Sequence, residues 1–392
     1  MSAELLARLI AAIERELPRA VELRRRLHAY PELAHSEQET SAALAAELPV
    51  ACEHVAGTGL IARIGAGERA PVAVRAELDG LPIAERTGAP FSADPALGAM
   101  HACGHDVHMA ALSALARAAH GLGENNLPAP LLAVLQPSEE AYPSGAEQLV
   151  APLREHAPAA IVAAHVHPEL PWNSLALDPG TVNASCDLFA ITVEGRPAHG
   201  AYPHRARDPI LALAAVVVAL HAQLGRRIDP IHPATLTVGV LEGGSAENVI
   251  PARAYARGAL RAYREQDRRE LRAMVEEVVA GVAAAHGCRG TVELTPGEPA
   301  LENDPAIVSR ARELLTDAGL VLAPEWRSAG SDDFAFFSAL HVPLAMGFVG
   351  LDGAPGFAPR PLHHPELLVP DAAVGAVARA LAVLYAAVTA PP

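Results

Sequence analysis

A chain of 392 residues is longer than one hydrophobic core usually serves, so two domains are expected, and a hydrophobic content of 51% is enough to fill them. The formal charge of −15, from 45 acids against 30 lysines and arginines, argues against a nucleic-acid or anionic-membrane surface, because phosphate binding needs a basic patch. The cysteines (Cys52, Cys103, Cys186, Cys288) follow no disulfide framework, no apolar run reads as long enough to cross a bilayer, and the N-terminus alternates acids and arginines rather than forming a leader, so a reducing cytoplasm is the expected compartment.

Helical periodicity runs from Ala3 to Leu17, is interrupted at Pro18, and resumes to His28. The Arg24-Arg25-Arg26 run, with Glu22 nearby, reads as a solvated helix face. A helix from Glu37 to Leu48 is followed by strands at Leu60–Ile64 and Val72–Leu78. Next come a long helix over Val107–His120 and strands at Leu131–Leu135 and Ile161–His165. This alternation predicts an α/β domain with a largely parallel, doubly wound sheet.

The pattern changes after Asp178-Pro179-Gly180. A strand over Ala184–Val193, a helix over Pro209–Leu224, strands at Thr235–Leu241 and Arg253–Arg261, a helix from Gln266 to His286 and a strand at Thr291–Leu294 follow in turn. Strand–helix–strand–strand–helix–strand is the order of a ferredoxin-like α+β sandwich. The first pattern resumes near Asp304 and continues to Tyr385, so residues 182–295 read as a domain inserted between the two parts, 1–181 and 296–392, of another.

The most informative stretch is Met100-His101-Ala102-Cys103-Gly104-His105-Asp106. It sets a thiol and an imidazole two residues apart across a glycine, a donor pair suited to zinc or a neighbouring divalent ion. Three further candidates fall at predicted strand ends, where α/β sheets place functional groups: Arg75–Pro82, Gln136–Glu140 and His165–Pro168. Adjacent Glu139 and Glu140 after an apolar strand repel one another, and a nearby cation relieves that repulsion. Cys103, His105, Glu140 and His165 are therefore expected to hold one or two metal ions, with Glu139 as the base that takes a proton from water and delivers it to a leaving amine. A fifth ligand is expected from Leu362-His363-His364-Pro365, where spacing does not choose between the two histidines. A redox role for Cys103 would need a resolving cysteine, and none is near in sequence.

Taken together the motifs resemble those of the metallopeptidase-like amidohydrolases that include aminoacylases, hippurate hydrolases, auxin-conjugate hydrolases and N-acyl-glutamine aminoacylases. They stand in order as RRRLHAYPEL (Arg24–Leu33), RAELDGLPI (Arg75–Ile83), MHACGHDVHMAAL (Met100–Leu112), QPSEEAYPSGAEQLV (Gln136–Val150) and HVHP (His165–Pro168). GRPAHGAYPHRARDPI (Gly195–Ile210), ENVIP (Glu247–Pro251), GSDDFAFF (Gly330–Phe337) and LHHP (Leu362–Pro365) complete the series. The resemblance implies metal ligands at Cys103, His105, Glu140, His165 and His363, the general base at Glu139, and Asp79 as an acid orienting a metal-bound group. It further implies substrate contacts at His199 and Asn248 in the inserted domain, which would act as a lid and dimerisation module of a homodimer. Glu77 departs from the usual Asp of its motif, and His28 and Glu32 read as structural.

The function implied is hydrolysis of N-acyl amino acids to a carboxylic acid and an amino acid by two divalent ions, zinc or manganese first, cobalt or nickel next. A carboxypeptidase or dipeptidase acting on short peptides would use the same chemistry. A metal-binding protein without catalysis is disfavoured by the retained Glu139.

Overall fold

Several segments read as unbroken apolar runs because both of their faces are covered, and these build the centre of a sheet. The computed structural model describes residues 2–390. Along the chain come α1 (Ser2–Ala29), α2 (Gln38–Glu47), β1 (Glu53–Val55), β2 (Gly59–Ile64), β3 (Val72–Glu77), α3 (His105–Gly121), β4 (Leu131–Gln136), α4 (Gly145–His156), β5 (Ala160–Pro171) and β6 (Ser174–Ala176). The middle adds β7 (Gly180–Asn183), β8 (Ser185–Glu194), β9 (Ala198–His199), α5 (Pro209–Arg227), β10 (Ala234–Gly243), β11 (Val249–Ile250), β12 (Arg253–Ala262), α6 (Glu265–Ala285) and β13 (Arg289–Pro296). The chain finishes with β14 (Leu301–Asn303), α7 (Pro305–Leu314), β15 (Val321–Leu322), β16 (Leu344–Asp352) and α8 (Ala372–Thr389).

The chain divides into two compact units. The first contains the residues up to Gly180, Glu302–Trp326 and everything from Phe336. Its eight-stranded sheet has the order β1-β2-β4-β3-β5-β16-β6-β15. The centre is parallel (β4 with β3, β3 with β5, β5 with β16), while β1/β2, β2/β4 and β16/β6 are antiparallel. Every residue of β3 and β4 is buried. Helices α1, α3 and α8 pack on one another, and the alanines of α3 and α8 allow that close approach.

Three expectations need correction here. Pro18 does not divide the first helix: α1 is continuous, because the buried stripe Leu5, Leu9, Ile13, Ala20, Leu23 and Leu27 carries on through it and packing outweighs one lost backbone bond. Arg24 is not solvated. It is fully buried, with Nε 2.7 Å from an Asp106 carboxylate oxygen, Nη1 3.1 Å from Asp371 and Nη2 donating to the Val369 carbonyl at 2.8 Å; only Arg25 and Arg26 meet solvent. Among the described residues two helices, α5 and α8, are by length and hydropathy apolar enough to cross a bilayer where none was expected, but 83% of α8 lies inside the protein as a core helix.

The second unit contains Thr181–Leu301 and Arg327–Ala335. The latter segment is tied in by the Ser328 N–H on the Val182 carbonyl (2.8 Å) and the Ala184 N–H on the Ser328 carbonyl (3.1 Å). Its antiparallel sheet has the order β10-β12-β8-β13, and the chain order strand–helix–strand–strand–helix–strand is the expected one. Residues along β8 alternate between buried and less buried, as in a sheet covered on one face. Phe189, Ile191 and Val193 from that face pack with Leu213, Val216 and Leu220 of α5 and Leu271, Met274 and Val275 of α6.

Candidate active site

Gly104 brings the first donors into place. It precedes α3 in a left-handed conformation (φ 89°), and a Cβ there would stand 2.5 Å from Val166 Cγ2, so only glycine lets this loop lie against β5. Cys103 ends the loop and His105 opens the helix. Cys103 Sγ lies 3.4 Å from His165 Nε2. His165 stands on β5 just past the residues that pair with β3, and β5 itself continues to Pro171 beside β16, beyond the strand end expected at His165.

The two histidines are oriented by the backbone. His105 Nδ1 is 2.8 Å from the Asp79 carbonyl and His165 Nδ1 is 2.6 Å from the Val166 carbonyl. A carbonyl only accepts, so each Nδ1 carries a proton, and in the neutral ring each Nε2 presents a lone pair. His105 Nε2 is buried with no hydrogen-bond partner among the described residues.

The acids come from the turn after β4. Ser138 adopts a positive φ of 52° and is held by Glu37, which accepts its N–H (2.8 Å) and its hydroxyl (3.1 Å). The Glu140 N–H donates to Asp79 Oδ2 at 2.8 Å. Glu140 Oε1 makes no hydrogen bond among the described residues, and His363 Nε2 comes within 3.4 Å of it. Glu139 Oε2 lies 3.9 Å from His105 Nε2. His363 (φ 65°) is anchored by its N–H on the Ala102 carbonyl at 2.9 Å, whereas His364 Nδ1 accepts the Glu366 N–H in its own turn. Of the two histidines, His363 is the one that approaches the acids.

Cys103, His105, Glu140, His165, His363, Glu139 and Asp79 thus form one connected cluster in the first unit. The ligand atoms of Cys103, His105 and Glu140 lie within 4.8 Å of one another. The orphaned buried atoms His105 Nε2, Glu140 Oε1 and Asp79 Oδ1, beside a thiol, could be satisfied together by divalent cations of the borderline-soft kind.

The surrounding acids favour positive charge at His105, which in the absence of a metal ion is a second ring proton. Burial works against a charged His105, but Glu77, Asp79 and Glu140 outweigh it and push its pKa up to about 10. Burial, with His108 and His105 nearby, holds His165 well below the usual histidine value. Burial opposes ionisation of Asp79, yet the hydrogen bond and charge of His105 and the Glu139 and Glu140 backbone keep its pKa lowered.

His199 and Asn248 lie in the second unit, both exposed and side by side: β9 pairs with β11, and the Gly200 N–H donates to the Asn248 carbonyl at 2.7 Å. The sequence reading passed over two buried histidines beside the cluster. His108 sits three residues after His105 on the same face of α3, a spacing visible in the sequence. Neither ring nitrogen of His101 has a hydrogen-bond partner among the described residues, and burial pushes its pKa down to about 4. Structural roles for His28 and Glu32 agree with their contacts: His28 bridges Asp106 and Glu85, and Glu32 accepts the Glu39 and Thr40 N–H groups at the start of α2.

A mixed sheet of this order, with thiol, imidazole and carboxylate donors gathered beyond its central strands, is the architecture of a metallohydrolase-type α/β domain. The chain belongs to the peptidase family M20/M25/M40, whose model matches residues 73–388. It is 34% identical over 376 residues to an N-acetyl-L-cysteine deacetylase of Bacillus subtilis (strain 168), covering 93% of this chain and 86% of the relative. An N-acetyldiaminopimelate deacetylase of Geobacillus thermodenitrificans is 33% identical over 366 residues, covering 90% and 93%. Among solved structures, a dinuclear metal-binding peptidase of the M20 family from Bacillus subtilis superposes with a TM-score of 0.82 at 27% identity, covering 95% of this chain and 98% of that one.

Proposed function

We propose that this protein is a metal-dependent amidohydrolase that cleaves N-acyl amino acids into a carboxylic acid and an amino acid. The observation that carries the reading is the convergence of Cys103, His105, Glu140, His165 and His363, with unpartnered buried atoms on His105 (Nε2) and Glu140 (Oε1) and a second acid, Glu139, beside them. The two deacetylase relatives act, by name, on N-acetylated amino acids, and the solved neighbour is a dinuclear metal-binding peptidase, which supports the same chemistry.

In this reading those five residues hold two divalent ions, zinc or manganese first and cobalt or nickel next. Bound there, the ions would polarise the scissile carbonyl and acidify water. Glu139 accepts the proton of the attacking water and returns it to the leaving amine. Asp79 fixes Glu140 through its backbone N–H, and its own carbonyl orients His105. Residues 182–295 serve as lid and dimerisation module of a cytoplasmic homodimer, and His199 and Asn248 contact the substrate.

The test is metal analysis of the purified protein, chelation and metal readdition, and a screen of N-acetyl and larger N-acyl amino acids against dipeptides. Activity on the acyl amino acids that vanishes with chelation and returns with metal is expected. Indifference to a strong chelator would refute the mechanism, and preference for dipeptides would move the assignment to a peptidase.

A further inference from the structure

His108 and Glu77 lie with His105 and His165 in a second group of donor residues, all four buried, whose ligand atoms also fall within 4.8 Å of one another. This group has the residue types of a metal site, but its hydrogen bonds say otherwise. His108 Nδ1 is 2.9 Å from Glu77 Oε2, and His108 Nε2 is 3.0 Å from the Val166 backbone nitrogen. The Val166 N–H can only donate, so Nε2 accepts and the single ring proton of neutral His108 sits on Nδ1, facing the carboxylate. No lone pair of His108 is left for an ion.

The backbone of one residue, Val166, connects His108 to the candidate centre. The Val166 N–H is held by His108, the Val166 carbonyl accepts from His165 Nδ1 at 2.6 Å, and the Val166 side chain packs against Gly104. The His108 and His165 rings lie 4.5 Å apart, centroid to centroid. Glu77 is in turn braced by an ion pair to Arg75, whose Nε donates to Gln136 Oε1 at 2.8 Å. The longer side chain at position 77, where the motif usually has Asp, is the one that here reaches His108.

We infer that Glu77 and His108 are positioning residues. They tie β5 to α3 through the Val166 N–H, and so steady the Val166 carbonyl that selects the His165 tautomer with its Nε2 lone pair toward Cys103. One face of α3 then carries both a proposed ligand, His105, and the clamp that holds the strand bearing another, His165. The separation of two ligands from distant parts of the chain is set by one imidazole. This inference rests on the metal-site reading above.

Two measurements test it. In the metal-free full-length protein with 15N-labelled histidine, NMR should find His108 and His165 both neutral with the proton on Nδ1; a His108 proton on Nε2 overturns the clamp without any mutation. Metal affinity is then measured by competition with a chelating dye for the wild type, His108→Leu and His108→Gln. The leucine variant should bind about 10–100-fold more weakly. The glutamine variant, whose amide can donate to Glu77 and accept from Val166, should stay close to wild type. If the wild type binds metal and the leucine variant binds equally well, or the glutamine variant fails as badly as leucine, the inference falls alone. A wild type that takes up no divalent metal overturns the functional reading and the inference with it.

Discussion

Cys103 Sγ and His165 Nε2 lie 3.4 Å apart, although one ends a loop before α3 and the other stands on β5. Their approach depends on Gly104, against which Val166 is pressed. Gly104→Ala forces a Cβ into that contact and leaves a non-glycine residue at φ 89°. It should cost about 1–3 kcal/mol and lower the melting temperature and metal content together. An unchanged melt would mean that the loop relaxes freely.

Cys103 is the one soft donor of the proposed centre. Cys103→Ser should remove the sulfur-to-cobalt charge-transfer absorption of cobalt-loaded protein and shift preference toward harder ions. Retention of that band would place the thiol outside the coordination sphere.

For Glu139, Gln keeps the shape and removes the basic oxygen. Turnover of an N-acyl amino acid should fall by about 10²–10⁴-fold, with metal content per chain unchanged. Loss of metal in step with activity would make Glu139 a ligand instead of the base.

Asp187 in the second unit is buried and receives Arg268 (2.6 and 2.9 Å), Arg272 (both 2.7 Å) and the Gly297 N–H (3.1 Å). Burial opposes its ionisation, but these partners lower its pKa to about 2. A depressed carboxylate pKa stabilises the fold fully above the unfolded value and loses that contribution as pH falls through the folded one. Stability on the order of 2–3 kcal/mol should therefore disappear between about pH 4 and 2. Asp187→Asn should be less stable at neutral pH and flatten this part of the curve, read by urea unfolding at stepped pH. A parallel curve would rule the pair out as the source.

Arg24→Leu leaves the buried Asp106 without its guanidinium partner. A loss of about 3–5 kcal/mol is expected, measured by chemical denaturation, and a change below about 1 kcal/mol, the range of exposed pairs, would show that water replaces the guanidinium.

The elements were largely readable along the chain, because buried strands and amphipathic helices imprint their periods locally. Pro18 misled because a proline's local cost is visible in sequence while the packing that overrides it is not. Arg24 misled for the same reason: its carboxylate partners, Asp106 and Asp371, come from distant segments. His108 stood in plain view at helical spacing from His105, yet its partners belong to two different strands, β3 and β5.

Residue order alone established the kinds of donor available, the pairing of Glu139 with Glu140 and the alternation of strands and helices, since these are properties of neighbours along the chain. Folding chose which imidazole nitrogens carry protons, separated His363 from His364, and put Arg24 out of reach of water. The partners that fix the rings of His105 and His108, the backbone of His363 and the guanidinium of Arg24 come from remote segments, and no local pattern encodes where those partners will lie.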